Sequence, residues 1–422
     1  MSLSLITSPP TKVFSKNPII YKIQSTSYSG LDNYRVVIRV FFETILNSGT
    51  FTQIVEIEDT PDENGFTSWP IQAIIESAMM ENTSLQVPVI DSNTPYLADN
   101  TRRFRIEYAE KYGQPAAIQS FTAASNVTAI HGGIDMHVFA DTDYIAGITV
   151  ANPFLTWMPD GQKVSLSQAA YLSWYNYKGS TVGLTLSWSA FSALGVVIQS
   201  GSYTNVSVDN GRTLVLPVGP KELGITNADA VKYRVTMIDT NDGDNSVAPA
   251  ITYYIDRKPT HCERSILWFN SFNLPETLRL TGRTTISLNI SRQNFHRTLP
   301  NDFNPLDGEI LQHNADWSAG YIYRSGYLRK SDIDALQDML IRNILFEITS
   351  DGYYRMHLTD KKYNITECLQ FLHQLQFSGI RSIRPINFSR VAISSSSSGA
   401  FWVISNTGYY LTASGGRYEL AQ

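Results

Sequence analysis

Cysteine and charge are both scarce in this sequence. Two cysteines, Cys262 and Cys368, stand among 422 residues. They cannot build a disulfide framework, and two reduced, buried thiols are the expectation. Charged residues make up 17% of the chain, against roughly 25% in an ordinary globular protein. Lys and Arg number 33 and Asp and Glu 38, for a net charge of -5. Nucleic-acid-binding domains are normally basic, so no nucleic-acid partner is expected. No stretch approaches the roughly 18 apolar residues of a membrane-spanning helix, so no membrane insertion is expected. Residues 1–16 lack the basic and apolar regions of a secretion signal, which predicts folding in a cytoplasm. The sequons at Asn82, Asn126, Asn205, Asn289, Asn364 and Asn387 are what chance gives in a chain rich in Asn, Ser and Thr. There is no Gly-x-Ser-x-Gly elbow, no His-Glu-x-x-His helix and no phosphate loop, so neither an enzyme nor a cofactor is predicted.

Aromatic residues are plentiful: 23 Tyr, 19 Phe and 7 Trp. Tyr, Ser, Thr and Asn outweigh Lys and Glu, a balance typical of β-rich chains. The run 34–42 (YRVVIRVFF) puts Val36, Ile38 and Val40 on one face of a strand, and Arg35, Val37 and Arg39 on the other. A second β-rich run, 51–57, is followed by a turn ending in Asn64-Gly65. Residues 70–80 (PIQAIIESAMM) read as a helix, with Pro70 in the first turn and Ile71, Ile74, Ile75 and Met79 at helical spacing. This order recurs. Asn210-Gly211 and Pro217 repeat Asn64-Gly65 and Pro70, and the strand from Tyr233 repeats the strand from Phe104 after a shorter loop. Two copies of one unit are therefore expected, each an immunoglobulin-like or fibronectin-like sandwich.

From 258 the pattern changes. Ser331 and Asp334 read as a capping box, and Ile333, Leu336, Leu340 and Ile344 follow at helical spacing. Runs 344–349 and 355–358 read as a hairpin around Asp351-Gly352. A serine run, 394–398, is a tether by composition. The predicted class is mainly β: tandem immunoglobulin/fibronectin-like sandwiches at 1–114 and 115–257, a smaller α+β domain at 258–390, and a tether with a terminal hairpin at 391–422.

Few residues suggest chemistry. His131, Asp135 and His137 offer two imidazoles and a carboxylate within seven positions, yet nothing completes a zinc set, and a turn with a strand edge is the commoner origin. The 239–245 loop, from Asp239 to Asn245, has oxygen donors at short spacing but lacks the bidentate Glu of a calcium loop; a solvated turn is the plainer reading. Trp157, Tyr171, Trp174, Tyr175 and Tyr177 could form a sugar-stacking platform, or divide between a core face and an interface face. Arg102, Arg103 and Arg105 open a strand and read as an edge or solvated pair, since charges guard sheet edges. Beyond the tether, Phe401, Trp402, Tyr409, Tyr410 and Leu411 are too apolar to hang in water and form a candidate assembly interface, docking by strand addition on the same or a neighbouring chain.

Four stretches carry a resemblance: 16–20 (KNPII); 152–157 (NPFLTW) with 168–172 (QAAYL); 262–282 (CERSILWFNSFNLPETLRLTG); and 326–328 (GYL) with 334–340 (DALQDML) and Phe346-Glu347. They resemble virion structural, tail-associated proteins of tailed phages or prophages of the Bacteroidota. After Asn-Ser-Phe that family usually has Gly, where this chain has Asn273, which also accepts a left-handed turn. The resemblance implies a structural component of the tail or head-tail junction, working by self-assembly, with copies of itself and other virion proteins as partners. A receptor- or glycan-binding module at the tail tip, with a cell-surface glycan as partner, is the alternative.

Overall fold

The predicted alternation is realised in the strand Arg35–Glu43, where Val36, Ile38, Val40 and Phe42 are fully buried. Val37 is buried as well. The structure, a computed structural model, describes residues 3–26, 28–135, 147–203, 206–258, 263–299, 301, 308–342, 344–349, 352–360, 363–369 and 372–382, with three short strands beyond. It divides into two units: 1–290 with 318–383, and 291–317 with 384–422.

In the first unit, one sheet runs Lys12–Phe14, Val127–Ile130, Thr101–Tyr112, Arg35–Glu43, Phe51–Asp59. Its first pair is parallel and the rest are antiparallel, and because Val127–Ile130 lies in this sheet the first sandwich runs past the expected boundary at 114. The companion sheet runs Leu3–Thr7, Ile20–Ser25, Phe66–Pro70. The next sandwich repeats the larger sheet: Gln162–Val164, Ile251–Ile255, Lys232–Asp239, Val182–Phe191, Val197–Ser202. Here too the first pair is parallel and the rest antiparallel. Gly65 (φ 80°) and Gly211 (φ 76°) occupy corresponding turns, each leading into a strand of the companion sheet, with the positive φ that glycine adopts at no steric cost. Phe104 and Tyr233 lie on corresponding strands, so the repeat read from the sequence is a repeat of topology. Sheets of this order, with a parallel first pair, make the chain a tandem of immunoglobulin-like sandwiches.

The second sandwich has one feature the repeat did not predict. Its smaller sheet, Tyr171–Tyr175 with Thr213–Pro217, is extended by Tyr96–Ala98, which comes from before its own sequence range. The α+β domain follows. Its sheet runs Pro275–Leu280, Arg264–Phe269, Leu345–Thr349, Gly352–Leu358, Leu372–Arg381, Ile310–Arg324, Thr285–His296, with Asn364–Leu369 paired to Leu372–Arg381. The helix Lys330–Leu340 buries Ile333, Leu336 and Met339 in one core with Ile266, Trp268, Leu345 and Phe377. Among the described residues, no helix is long and apolar enough to cross a membrane.

Three local readings are corrected. Pro70 ends the strand Phe66–Pro70, opposite Ile20, and the helix spans Gln72–Asn82. The second helix begins earlier than Ser331 suggests. The Arg329 backbone N–H donates to Asp332 Oδ2 at 3.1 Å, and the guanidinium pairs with the same carboxylate at 2.8 Å. Arg102, Arg103 and Arg105 guard no edge, because Thr101–Tyr112 has a neighbour on both sides. Arg103 instead forms a two-pronged pair, 2.7 and 2.6 Å, with the buried Glu43.

In the second unit, Val403–Ile404 pairs antiparallel with Tyr410–Leu411, which pairs with Arg417–Tyr418. The strand Arg417–Tyr418 lies beyond the hairpin expected from the sequence. Phe401, Trp402 and Tyr409 lie outside the described residues, as do His137 and Cys262.

Candidate functional site

The most elaborate constellation in the first unit is built around the turn between Arg264–Phe269 and Pro275–Leu280. Asn270 organises it. Its side-chain oxygen accepts the backbone N–H groups of Phe272 and Leu274, at 3.0 and 3.1 Å, and its amide donates to the Leu155 carbonyl and to Glu276. Asn273 takes φ 59°, the left-handed conformation its residue type tolerates. The turn touches all three domains. From the first sandwich, the Gly133 N–H donates to the Ser271 carbonyl at 3.0 Å and the Asn100 amide to the Phe272 carbonyl at 3.4 Å. From the segment before the second sandwich, the Trp157 indole N–H donates to Ser271 Oγ. From the second helix, Asp338 accepts the Ser271 N–H at 2.7 Å.

Beneath the turn lies a shared core. Phe14 and Ile130 of the first sandwich, Tyr171, Tyr175 and Val215 of the second, and Leu267, Phe269 and Phe272 of the α+β domain form one buried cluster. Gly132 shows how close the approach is. At φ 126°, a Cβ there would lie 2.0 Å from the Ser271 carbonyl oxygen. The two glycines after His131 are therefore a packing device, and His137, the third member of the candidate metal set, lies outside the described residues. No group of three or more metal-ligating side chains exists among the described residues.

His131 joins a different cluster. Its Nε2 lies 3.3 Å from Glu76 Oε1 and its Nδ1 lies 2.9 Å from Thr83 Oγ1. Ser15 donates to the other Glu76 oxygen, and Lys16 Nζ lies 3.6 Å from Oε1. Burial alone would raise the Glu76 carboxyl, but the hydrogen bonds from His131 and Ser15 outweigh it and hold the group below its ordinary value. Lys16, Glu76, Thr83 and His131 line a cavity of about 340 Å³ together with Asn273 and Arg342. The order of the three groups decides the chemistry. A nucleophilic serine needs the imidazole beside its hydroxyl. Here the carboxylate stands between the two, and Ser15 is fully buried. The cluster fastens the first sandwich's helix to its neighbouring loops.

A second buried carboxylate stands at the junction. Glu276 accepts from Thr156 at 2.6 Å and Asn270 at 2.7 Å, and burial pushes it up to about 7. Glu222, in the second sandwich, is pushed to about 7 by the same cause, with the Asp91 carboxylate adding to it. Only its own backbone N–H lies near enough to offset the burial, and no side chain hydrogen-bonds to its carboxylate.

The aromatic set does not form a platform. Trp174 and Tyr175 are fully buried, Tyr171 is nearly so, and Trp157 and Tyr177 are half-buried. Trp174 belongs to the second sandwich's core, while Tyr171 and Tyr175 belong to the shared core. Sugar stacking needs an open ring face, and the chain's own packing covers Tyr171, Trp174 and Tyr175. The acidic 239–245 loop already holds a cation: Lys178 Nζ lies 3.0 Å from Asp239 and 2.9 Å from Asp242. Asp239 Oδ1 also accepts the N–H groups of Gly183 and Asn241. Sequence reasoning missed Glu76, Asn270 and Glu276. The density of turn formers at 270–275 is the one visible signal for Asn270 and Glu276, and Glu76 on its helix has none.

No family model matches the chain, and no curated protein matches it. Among solved structures it is similar to the calcium-binding domain CBD12 of CALX1.1, at 9% identity over 61% of this chain and 100% of that one, TM-score 0.19. It is similar to CBD12 from CALX1.2 at 8% identity, over 57% and 82%, TM-score 0.17. Dimeric latent PorU from Porphyromonas gingivalis aligns at 11% identity over 82% of this chain and 31% of that one, TM-score 0.19. At these values the strand pairing, not the alignments, defines the class: a mainly β chain of tandem immunoglobulin-like sandwiches with an α+β domain.

Proposed function

We propose that the chain is a structural component of a phage virion, in the tail or head-tail junction, acting by self-assembly and by packing against other virion proteins. The observation that carries this reading is the shared core. Three domains with their own cores are locked around one turn, which makes a body suited to transmitting position rather than to opening around a substrate. Apolar side chains are meanwhile left on the surface, Leu194 at 92% and Leu288 at 62% exposure among them. Exposed apolar groups of this kind mark contact surfaces when they cluster. The likeness of 262–282 and 326–340 to tail-associated proteins supplies the biological class.

Particles induced from a host that carries the gene test this. Mass spectrometry of gradient-purified particles is expected to find the chain at a fixed stoichiometry, and electron cryomicroscopy to place it in a repeating ring or column. A chain absent from purified particles would overturn the reading.

A further inference from the structure

The α+β sheet has two edges. At one, Pro275–Leu280 is buried along its whole length. At the other stands Thr285–His296, paired on one side with Ile310–Arg324 and with no neighbour beyond it among the described residues. Its Ile286, Leu288 and Ile290 alternate along one face and are 55%, 62% and 50% exposed. Natural edge strands are usually guarded by charge, proline or a bulge, because an open edge is a template for another strand. Residues 284–291 (TTISLNIS) contain no charged residue and no proline.

The occupant is indicated by the order of these residues. Read outward from Leu288 in both directions, the sequence mirrors itself: Ser287 against Asn289, Ile286 against Ile290, Thr285 against Ser291. Two such strands laid antiparallel about a two-fold axis through Leu288 would set every apolar residue opposite an apolar one and every small polar residue opposite another. The flanking arginines would not meet: Arg283 would face Gln293, and Arg292 would face Thr284. A two-fold contact requires this kind of self-complementarity, with the same patch serving both partners. We infer that a second copy of this chain docks on this edge, pairing 285–291 with itself and continuing the sheet across the dimer. This rests on the assembly reading above and supplies it with a specific surface. Three half-exposed side chains per copy fall well short of the ~800 Å² per partner of a standard interface. The dimer should therefore be reversible, and strengthened where neighbouring copies are held in register.

Leu288→Lys and Leu288→Glu test this in the full-length chain by sedimentation equilibrium over a wide concentration range. Circular dichroism checks that both variants keep the fold, which the exposure of Leu288 favours. The wild type is expected to dimerise. Each variant alone should be monomeric, since like charges would face each other on the axis, and an equimolar mixture should dimerise again. An oligomer unchanged by either charge, or a mixture that stays monomeric, would overturn this interface while leaving assembly through another surface standing. A wild type that stays monomeric throughout would overturn the interface, and the particle experiment would then decide the assembly reading separately.

Discussion

Glu222→Gln should remove a pH-dependent weakness from the second sandwich. The Glu222 carboxyl is buried against Gly219, where an added Cβ would lie 2.1 Å from its Oε2, and no side chain hydrogen-bonds to it. Burial raises it from 4.5 to about 7. A carboxyl raised in the folded state binds its proton there more tightly than in the unfolded chain. Its contribution is therefore fully present below about pH 4.5 and is lost as the pH climbs through about 7. Each pKa unit is worth about 1.4 kcal/mol, so the folded state gives up about 3 kcal/mol across that window. Glutamine has nearly the same shape and no proton to lose. Melting temperatures of wild type and Glu222→Gln, measured from about pH 5 to 8.5, should diverge as the pH rises. The variant should gain roughly 4 °C on the wild type over that range, for a cooperative unit of this size. Parallel curves would refute the reasoning, since Glu222 would then be solvated or hydrogen-bonded in both states.

Gly132→Ala should destabilise the junction by roughly 2–4 kcal/mol, because its Cβ would collide with the Ser271 carbonyl and its φ disfavours a side chain; denaturant unfolding measures this. Glu347 is fully buried and is gripped by Arg264 and by Arg381, the latter at 2.8 Å. Glu347→Ala should cost roughly 3–5 kcal/mol by stranding two arginines, and Glu347→Gln less, read in the same assay. Chelator and added calcium should both leave the melting temperature unchanged, since Lys178 occupies the acidic loop. A calcium-dependent rise appearing only in Lys178→Ala would show that the ammonium takes the cation's place.

The β class and the repeat were legible because their signals are local. Alternation at 34–42 and the Asn-Gly turns at 64–65 and 210–211 act within a few residues of where they are read. Non-local outcomes were harder to read. Tyr96–Ala98 is only three residues long and lies between coil segments, so nothing marked it as a strand of the second sandwich. Arg103 looked like an edge guard because its partner, Glu43, is sixty residues away in sequence and adjacent only through strand pairing. The aromatics from Tyr171 to Tyr177 were ambiguous for a physical reason: the same rings suit a core and a sugar platform, and only burial distinguishes them. Two glycines after His131 mark a close backbone approach, and at Gly132 that approach is to the Ser271 carbonyl. Asn273 was read correctly as a left-handed turn residue, though nothing in its neighbourhood revealed that three domains meet there.

Calorimetry of the full-length chain tests most directly whether the three domains form one body, the property on which the assembly reading rests. The account predicts one dominant cooperative transition for the two sandwiches and the α+β domain together. At about 0.7 kcal/mol per residue its enthalpy would be roughly 250 kcal/mol, with van't Hoff and calorimetric values in agreement. Gly132→Ala should split this transition. Three separate transitions in the wild type, each with the enthalpy of a single domain, would contradict the account.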